Sequence, residues 1–336
     1  VLTTGRCNLK CSYCGGSFPK QKVPWKVEYK FKELIDFLRK FDDLTVAFYG
    51  GEPLLNPELI KKVILALQGK ARFVIQTNAT LSWRIEPSIW RKFDAILLSI
   101  DGRKRITDGY RGKGTYEKVI ETAKFLRKLR VKSDIIARMC VSKHTDIYAD
   151  VMHLLKLNLF DHVHWQLDVV WSERWNFEEY LEKSYKPGLK KLVKLWSYYL
   201  RRGKQIGIVP FIGICKAIKE KQKSPPCGAG KDAIAVLPNG RIVACPIAYD
   251  VEWACLGSLK KPNLREIKIG KPCSECEVFE ICGGRCLYAY KERLWGEEGF
   301  RLVCDATKYL IELIIKEKVN LVEDYPKFNN TTEIIP

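Results

Sequence analysis

Short apolar runs alternate with longer amphipathic stretches over the first two hundred residues, and this order constrains the fold more than any other feature. Six runs have the composition of buried strands: Val1–Thr4, Leu44–Tyr49, Arg72–Thr77, Ala95–Ile100, Asp134–Val141 and His162–Val169. Helical periodicity marks the stretches between and after them: Phe31–Phe41, Pro57–Leu67, Tyr116–Leu129, Asp146–Leu157 and Phe177–Arg201, with a shorter one around 87–92. This alternation predicts parallel βα units.

Six strands are too few to close an eight-stranded barrel. We therefore predict an α/β fold in which residues 1–203 form a partial (β/α)6 barrel of the TIM type. Active sites of such folds lie at the C-terminal ends of the strands. Side chains that follow the predicted strands directly are the first candidates for function.

A change of composition after Arg202 predicts a second, smaller domain. The charged run Lys216–Lys223 leads into Pro225 and Pro226, so we expect a linker over 204–226. Residues 227–323 are rich in cysteine and predict a small α+β domain, with one hairpin turning at Asn239 and Gly240. The polar residues 324–336 predict a flexible tail.

The thirteen cysteines are spaced for metal binding. Ten of them fall into two groups with short, regular gaps, which in a cytosolic protein favour metal ligation over disulfides, the alternative that remains. No secretory signal and no long apolar run are visible, so we expect a cytoplasmic protein without a membrane segment. The net charge of +19 permits an acidic peptide, a nucleic acid or an anionic cofactor as partner, but also suits a merely solvated surface.

The first group, Cys7, Cys11 and Cys14, follows the first predicted strand with C-x3-C-x2-C spacing. A 4Fe–4S cluster normally takes four cysteines, so three leave one iron open to a small molecule. An open metal position is typical of chemistry rather than of structure. A structural site that takes its fourth cysteine from elsewhere is the alternative.

Four further elements stand at the ends of successive predicted strands. They are Gly50-Gly51-Glu52-Pro53, Gln76-Thr77-Asn78, Ser99-Ile100-Asp101-Gly102, and a run from Asp108 through Arg111 and Gly114 to Thr115. Together with the motif C-N-L-x-C-x-Y-C around the first cysteines, they resemble the radical S-adenosylmethionine (SAM) superfamily. No single element would be specific for this superfamily, but the order of all five along the chain is.

The resemblance implies a role for each matching position. Cys7, Cys11 and Cys14 would bind a 4Fe–4S cluster. The contacts with S-adenosylmethionine would come from Tyr13 and Leu167 at the adenine, Gly51 and Glu52 at the amino group, and Ser99 and Arg111 at the ribose and carboxylate. Such an oxidoreductase cleaves S-adenosylmethionine reductively to a 5′-deoxyadenosyl radical, which removes a hydrogen atom from the substrate.

The second group of seven cysteines, with Gly240 ahead of Cys245, resembles a SPASM domain. The resemblance implies two auxiliary 4Fe–4S clusters, three in the whole protein: the first on Cys227, Cys245, Cys286 and a fourth ligand such as Cys215 or, less well, Cys255, the second on Cys273, Cys276, Cys282 and Cys304. These clusters would accept a second electron, bind substrate, or only order the domain. A zinc ribbon would explain only part of the set, and Cys140 fits a buried strand cysteine.

SPASM proteins modify peptides and proteins, by thioether or carbon–carbon crosslinks or by formylglycine formation. Pro246 stands where sulfatase-maturing relatives have aspartate, so formylglycine formation ranks low. The whole chain resembles archaeal peptide-modifying radical SAM enzymes. Strand one has no leader-binding domain before it, so we expect either a separate leader-binding protein or a folded protein substrate, and an electron donor such as ferredoxin or flavodoxin.

Three polar residues alternate along the sixth predicted strand and share one face: His164, Gln166 and Asp168. They are candidates for substrate contact if that face lies inside the barrel, and a polar rim if it does not. Two other functions stay open. One is RNA modification, because Lys186–Lys204 is basic and carries Trp196, Tyr198 and Tyr199. The other is maturation of a metal-cofactor enzyme.

Overall fold

The computed structural model describes residues 1–169, 173–221 and 224–319. Its centre is a parallel sheet whose five strands pair in chain order: β1 Leu44–Phe48, β2 Ala71–Thr77, β3 Ala95–Ser99, β4 Asp134–Val141 and β5 His162–Leu167. The predicted first strand, Val1–Thr4, is reduced to a single parallel bridge between Leu2 and Tyr49. On the side of Leu2 away from Tyr49, the chain contacts the C-terminal unit that is described below: the Leu2 N–H donates to the Val236 carbonyl at 2.9 Å.

Helices cover the outer face of the sheet. They are α1 Phe31–Leu38, α2 Pro57–Leu67, α3 Pro87–Trp90, α4 Lys104–Arg111, α5 Thr115–Lys128, α6 Ile147–Lys156, α7 Phe177–Tyr180 and α8 Lys186–Leu200, the last two joined by a π-helical turn over Leu181–Tyr185. All the predicted helices are present, and α4 is additional. The partial-barrel fold that the alternation predicts is therefore confirmed.

Alternate side chains of each strand face the helices or the barrel interior. Phe48, Ile75 and Leu98 face outward and join the main hydrophobic core. On the interior face a separate small cluster, Val74, Ala95, Leu97 and Ile136, fills the barrel toward the strand N-termini. Above this cluster, toward the strand C-termini, the interior leaves space for a ligand.

The C-terminal unit is a small α+β structure, as predicted. It has an antiparallel sheet of β6 Ala235–Val236, β7 Arg241–Val243 and β8 Cys255–Ser258, followed by α10 Phe279–Cys282, α11 Leu287–Glu292 and α12 Gly296–Glu317. The predicted hairpin joins β6 to β7, and Gly240 at its turn has a φ of 80°, which favours glycine.

The segment predicted as a linker, 204–226, contains the helix α9 Val209–Glu220. This helix packs on β5, α10 and α12 because Phe211, Ile212 and Ile214 are buried. It is thus a part of the packed core rather than a free connection. The exact domain boundaries stay a prediction, and the tail at 324–336 lies outside the described residues.

Among the helices of the described residues, none is both long enough and apolar enough to cross a bilayer.

Candidate active site

A cavity of about 330 Å³ opens at the C-terminal ends of the strands and is closed from the far side by the C-terminal unit. We call it the central cavity. Cys7, Cys11 and Cys14 line one wall of it. Its volume lies in the range of small-molecule sites.

The three cysteines lie in a tight loop that is held by hydrogen bonds from backbone N–H groups. The Cys7 N–H donates to Ser17 Oγ at 2.9 Å, and the Gly15 N–H donates to the Cys11 carbonyl at 3.0 Å. The Cys11 and Cys14 side chains share a hydrogen bond, which lowers the pKa of Cys14 to about 6 and raises that of Cys11. Burial raises the pKa of Cys7. Three thiols therefore converge on one space, and Cys14 is the one whose pKa is lowered.

Gly51 brings the next loop against the cysteine loop. Its N–H donates to the Thr4 carbonyl at 3.0 Å, and the Glu52 N–H donates to the Arg6 carbonyl at 2.9 Å. A Cβ on Gly51 would lie 2.2 Å from the Arg6 carbonyl oxygen. Glycine is thus required here for close backbone approach, in addition to any contact with a ligand.

Glu52 is buried beside this contact and is oriented by three donors. Oε1 accepts from the Leu54 N–H at 3.0 Å and from Thr77 Oγ1 at 2.6 Å, and Oε2 accepts from the Asn78 N–H at 2.8 Å. Burial raises its pKa to about 7, although these bonds act in the opposite direction. A carboxylate has about four acceptor positions, so Glu52 keeps one for a ligand such as an ammonium group.

Asp101 organises the opposite wall. It forms a bidentate ion pair with Arg111, with Nε and Nη2 each 2.8 Å from a carboxylate oxygen, and it also accepts from Tyr13 Oη at 3.0 Å and from the Cys140 N–H at 2.8 Å. All of its acceptor positions are used. Arg111 keeps three of its five N–H donors for a ligand.

The remaining predicted contacts are distributed around the same space. Ser99 lines the central cavity, and so does Leu167, which is also part of the helix-facing hydrophobic core. Tyr13 packs near Arg111, whose guanidinium carbon is 5.5 Å from the ring centre. The structure therefore gathers every residue predicted to contact S-adenosylmethionine.

The three polar residues on and directly after β5 divide into two groups. Gln166 and Asp168 line the central cavity, and Asp168 accepts from Ser142 Oγ at 2.7 Å. His164 is fully buried and does not line the cavity. The face is thus inside the barrel, but only its two upper residues reach the open space. Their roles stay predictions.

Four predicted ligands of the second auxiliary cluster surround another cavity, of about 70 Å³: Cys273, Cys276, Cys282 and Cys304. We call it the second cavity. Burial first, and then the neighbouring Cys304 and Cys276 thiols, raise the pKa of Cys273 to about 11. The four sulfurs thus lie within electrostatic reach of one another.

Cys227, Cys245 and Cys286 form a third set. Burial and then Cys286 raise the pKa of Cys227 to about 11, and burial followed by Cys286 and Cys227 raises that of Cys245. Cys215, the suggested fourth ligand, lies on α9, and burial alone raises its pKa to about 12, with no contribution from another thiol. The role of Cys215 as fourth ligand stays a prediction, and Cys255, the other candidate, lies on β8.

The described residues offer no group of three Cys, His, Asp or Glu side chains close enough to hold one metal ion. In a four-iron cluster each cysteine binds a different iron, so its ligands stand further apart than those of a single ion. The three cysteine sets, each gathered around one space, fit this wider arrangement.

Sequence comparison assigns the barrel to a known family. Residues 1–157 match the radical SAM superfamily. The matched part of the chain is a radical SAM domain. The motifs at the strand ends and the cysteine loop, which line the central cavity, all lie in the matched part.

Radical SAM enzymes also match over nearly the full chain. The cysteine-type anaerobic sulfatase-maturating enzyme of Clostridium perfringens (strain 13 / Type A) is 24% identical, with 95% of this chain and 96% of the relative covered. The structure of native anSMEcpe with bound AdoMet has a TM-score of 0.73 at 21% identity and covers 94% of this chain and 96% of that one. Streptococcus suis SuiB bound to precursor peptide SuiA has a TM-score of 0.58 at 17% identity, with 85% and 71% covered. These structures share the fold, including the C-terminal region.

Some residues of the site were not predicted. Asp101 stands in a quoted motif, but its bonds to Tyr13, Arg111 and Cys140 join residues far apart in sequence. Arg138 and Arg285 also line the central cavity. A lone arginine in a chain of 58 basic residues gives no signal of this position.

Proposed function

We propose that this radical SAM enzyme modifies a peptide or protein substrate held in the central cavity. The observation that carries the proposal is the convergence of three cysteine thiols, an oriented Glu52 and a partly free Arg111 on one cavity that the C-terminal unit closes. The resemblance to a sulfatase-maturating enzyme and to SuiB, which was solved with a precursor peptide, favours a peptide over a small metabolite.

Different residues of the cavity would bind the cluster and the separate parts of S-adenosylmethionine. Cys7, Cys11 and Cys14 would hold a 4Fe–4S cluster, Gly51 and Glu52 the amino group of S-adenosylmethionine, Ser99 and Arg111 its carboxylate and ribose, and Tyr13 and Leu167 its adenine. When both are bound, the 4Fe–4S cluster and S-adenosylmethionine would supply a radical that removes a hydrogen atom from the substrate. The protein orients the groups and excludes water from the reaction.

The C-terminal unit would bind the two auxiliary clusters. Cys273, Cys276, Cys282 and Cys304 would hold one of them, and Cys227, Cys245 and Cys286 the other. Cys286 lines the central cavity, so the cluster on Cys227, Cys245 and Cys286 would lie next to the substrate. This position suits either removal of an electron from the substrate or direct binding of it.

The type of product is narrowed by the carboxylates of the cavity. Among the described residues, those that line it are Glu52 and Asp168, and Pro246 replaces the aspartate of sulfatase-maturing relatives. We therefore favour a thioether or carbon–carbon crosslink over formylglycine formation. Such a crosslink removes two hydrogen atoms from the peptide.

The test uses protein reconstituted with iron and sulfide under anaerobic conditions. With dithionite, S-adenosylmethionine and candidate precursor peptides, we expect 5′-deoxyadenosine and a peptide lighter by two hydrogens. Cys11→Ala, which removes a cluster ligand, is expected to abolish both products, whereas Cys140→Ala retains 5′-deoxyadenosine formation.

RNA is the competing substrate class, and the same protein tests it. The helix α8 buries Trp196, whose Nε1 donates to the Ile206 carbonyl at 3.1 Å, while Tyr198 is exposed under Arg202. Only part of the aromatic set could therefore stack on bases. RNA-dependent 5′-deoxyadenosine formation, with binding that falls steeply as salt rises, would contradict the peptide proposal.

A further inference from the structure

Arg138 faces the central cavity, and no carboxylate of the described residues pairs with it. It lies on β4 between Ile136 and Cys140, on the interior face, and is half-buried. Its Nη1 donates to the Met139 carbonyl at 2.9 Å, and no acidic side chain of the described ranges pairs with it. Burial accordingly lowers the pKa of its guanidinium.

Two other arginines of the barrel, one buried and one partly exposed, are neutralised by carboxylates. Arg111 pairs with Asp101 at 2.8 Å, and the partly buried Arg103 pairs with the fully buried Asp150 at 2.7 Å. A charge that is removed from water without a partner is unfavourable. Arg138 therefore differs from its neighbours in a way that an anionic ligand would correct.

Gln166 supplies a second donor beside it. The register of β4 and β5 pairs Arg138 with His164 and Cys140 with Gln166, so Arg138 and Gln166 are diagonal neighbours on the interior face. The Gln166 Nε2 atom is buried and has no hydrogen-bond partner among the described residues, and the side chain lines the central cavity. Two adjacent groups thus present unused N–H donors to the same space.

Arg285 adds positive charge from the facing wall. It belongs to the C-terminal unit, precedes Cys286, and lines both the central and the second cavity. It forms no ion pair with an acidic side chain of the described chain; its charge acts to lower the pKa values of Cys282, Cys304 and Tyr185. Arginines thus reach the cavity from two walls, beside the carboxylates Glu52 and Asp168 that also line it.

We propose that Arg138 and Gln166 form a subsite for a carboxylate of the peptide substrate, with Arg285 adding positive potential from the opposite wall. This inference rests on the proposed function. A guanidinium and a neighbouring amide match the two oxygens of a carboxylate. The carboxylate of S-adenosylmethionine is left to Arg111 and Ser99, because Arg111 keeps three free N–H donors. The peptide carboxylate can belong to an acidic side chain or to the chain end.

Four heptapeptides of glycine and serine around one cysteine separate these sources. They combine an aspartate or an asparagine beside the cysteine with a free or an amidated C-terminus. Binding is measured by calorimetry on reconstituted protein saturated with S-adenosylmethionine, without reductant. We expect one carboxylate-bearing series to bind at least tenfold more tightly than its amide counterpart, and the preferred series identifies the source.

Variants assign the preference to the subsite. In Arg138→Gln the preference is expected to fall to about one, in Arg138→Lys to persist in part, and in Gln166→Leu to shrink. The affinity for S-adenosylmethionine is expected to change less than twofold in all three. The exposed Arg91→Gln, which lies on the outer surface, is the matched control and retains the full preference.

The results that would contradict the subsite can be told apart from those that would contradict the peptide function. Equal binding of acid and amide peptides, with S-adenosylmethionine cleavage intact, overturns the subsite and leaves the peptide function standing. A weaker affinity for S-adenosylmethionine in Arg138→Gln shows that the cofactor carboxylate is the partner of Arg138, which also overturns the subsite. If no peptide binds the unmodified protein, both the subsite and the peptide function fail.

Discussion

At the scale of single residues, the cavity combines side chains whose bonds are complete with side chains that keep spare capacity. Asp101 uses all of its acceptor positions within the protein, whereas Glu52 and Arg111 each keep some for a ligand. Side chains such as Asp101 hold the walls of the cavity in place, and side chains such as Glu52 and Arg111 are able to bind a ligand. This difference decides which substitution should affect stability and which should affect affinity.

Glu52 should make the binding of S-adenosylmethionine depend on pH. Burial raises the pKa of Glu52 to about 7, so the empty site is largely protonated at pH 6 and largely ionised at pH 8. Only the ionised form attracts an ammonium group, and affinity should therefore fall as pH falls through about 7. Calorimetry between pH 6 and pH 8 measures this trend. In Glu52→Gln the affinity should be lower and the trend weaker; an unchanged pH profile would contradict the assignment.

Asp101→Asn should reduce stability as well as affinity. It leaves Arg111 buried without a counter-ion, and breaking one side of a buried ion pair costs about 3–5 kcal/mol. We expect the Tm to fall on the order of 5–10 °C and the affinity for S-adenosylmethionine to fall at least tenfold. Differential scanning calorimetry and equilibrium binding check the two effects.

Asp36→Asn is the control for this change. It removes the exposed pair of Asp36 with Lys32, which is 2.6 Å long and lies four residues along α1. An exposed pair contributes about 0–1 kcal/mol, so the control should be close to neutral. If the two variants behave alike, Asp101 is not the anchor that its four bonds indicate.

At the scale of secondary-structure elements, the sequence predicts most of the barrel because the signals there are local. Buried strands such as Asp134–Val141 are apolar runs of strand length, and they form with the predicted bounds. The helix α4 gives a weak signal because it is mostly polar and contains Gly109, and α9 and α12 combine apolar and charged residues in a region dominated by cysteines. Their burial depends on partners from distant parts of the chain.

The candidate site follows the same division. Motifs at the strand ends predict Glu52, Ser99 and Arg111, because consecutive parallel strands end at one edge. The partnership of Asp101 with Tyr13, 88 residues away, depends on the closed fold. That no carboxylate of the described residues pairs with Arg138 likewise becomes visible only in the folded structure.

Gly51→Ala should disturb the contact between the first two loops. The new Cβ would lie 2.2 Å from the Arg6 carbonyl oxygen and 2.7 Å from the Cys7 nitrogen, which are backbone atoms that cannot rotate away. We expect a loss of roughly 1–3 kcal/mol and less iron in the first cluster. The iron content after reconstitution and the Tm are the measurements.

Gly109→Ala offers a matched control in the same domain. Gly109 is exposed on α4 and a Cβ there meets nothing within 4 Å. Alanine in a helix should stabilise by about 0.4–1 kcal/mol. A Gly51→Ala variant as stable and as iron-rich as Gly109→Ala would contradict the close approach described for Gly51.

At the scale of the whole molecule, the barrel and the C-terminal unit share one interior. Cys286 and Arg285 line the central cavity together with strand-end residues of the barrel. Helix α12 packs on α8 and α9, which fixes the two units against each other. Neither unit encloses the central cavity by itself.

The iron content tests the assignment of cysteines across the molecule. Three 4Fe–4S clusters require about twelve irons per chain. Because no other thiol contributes to the pKa of Cys215, we expect Cys215→Ala to retain this number, whereas Cys282→Ala should lose about four. Iron and sulfide assays with Mössbauer spectroscopy check both variants. A comparable loss in Cys215→Ala would make it the fourth ligand of the first auxiliary cluster.

The bridge at Leu2 has a consequence for the order of events during synthesis. Leu2 is bonded on one side to Tyr49 and on the other to Val236, so the base of the first cysteine loop lies between an early and a late part of the chain. On the ribosome the loop must wait for more than two hundred further residues before its second neighbour exists. Iron that enters earlier would meet a loop supported on one edge only, which would make the timing of cluster insertion a step that the cell has to control.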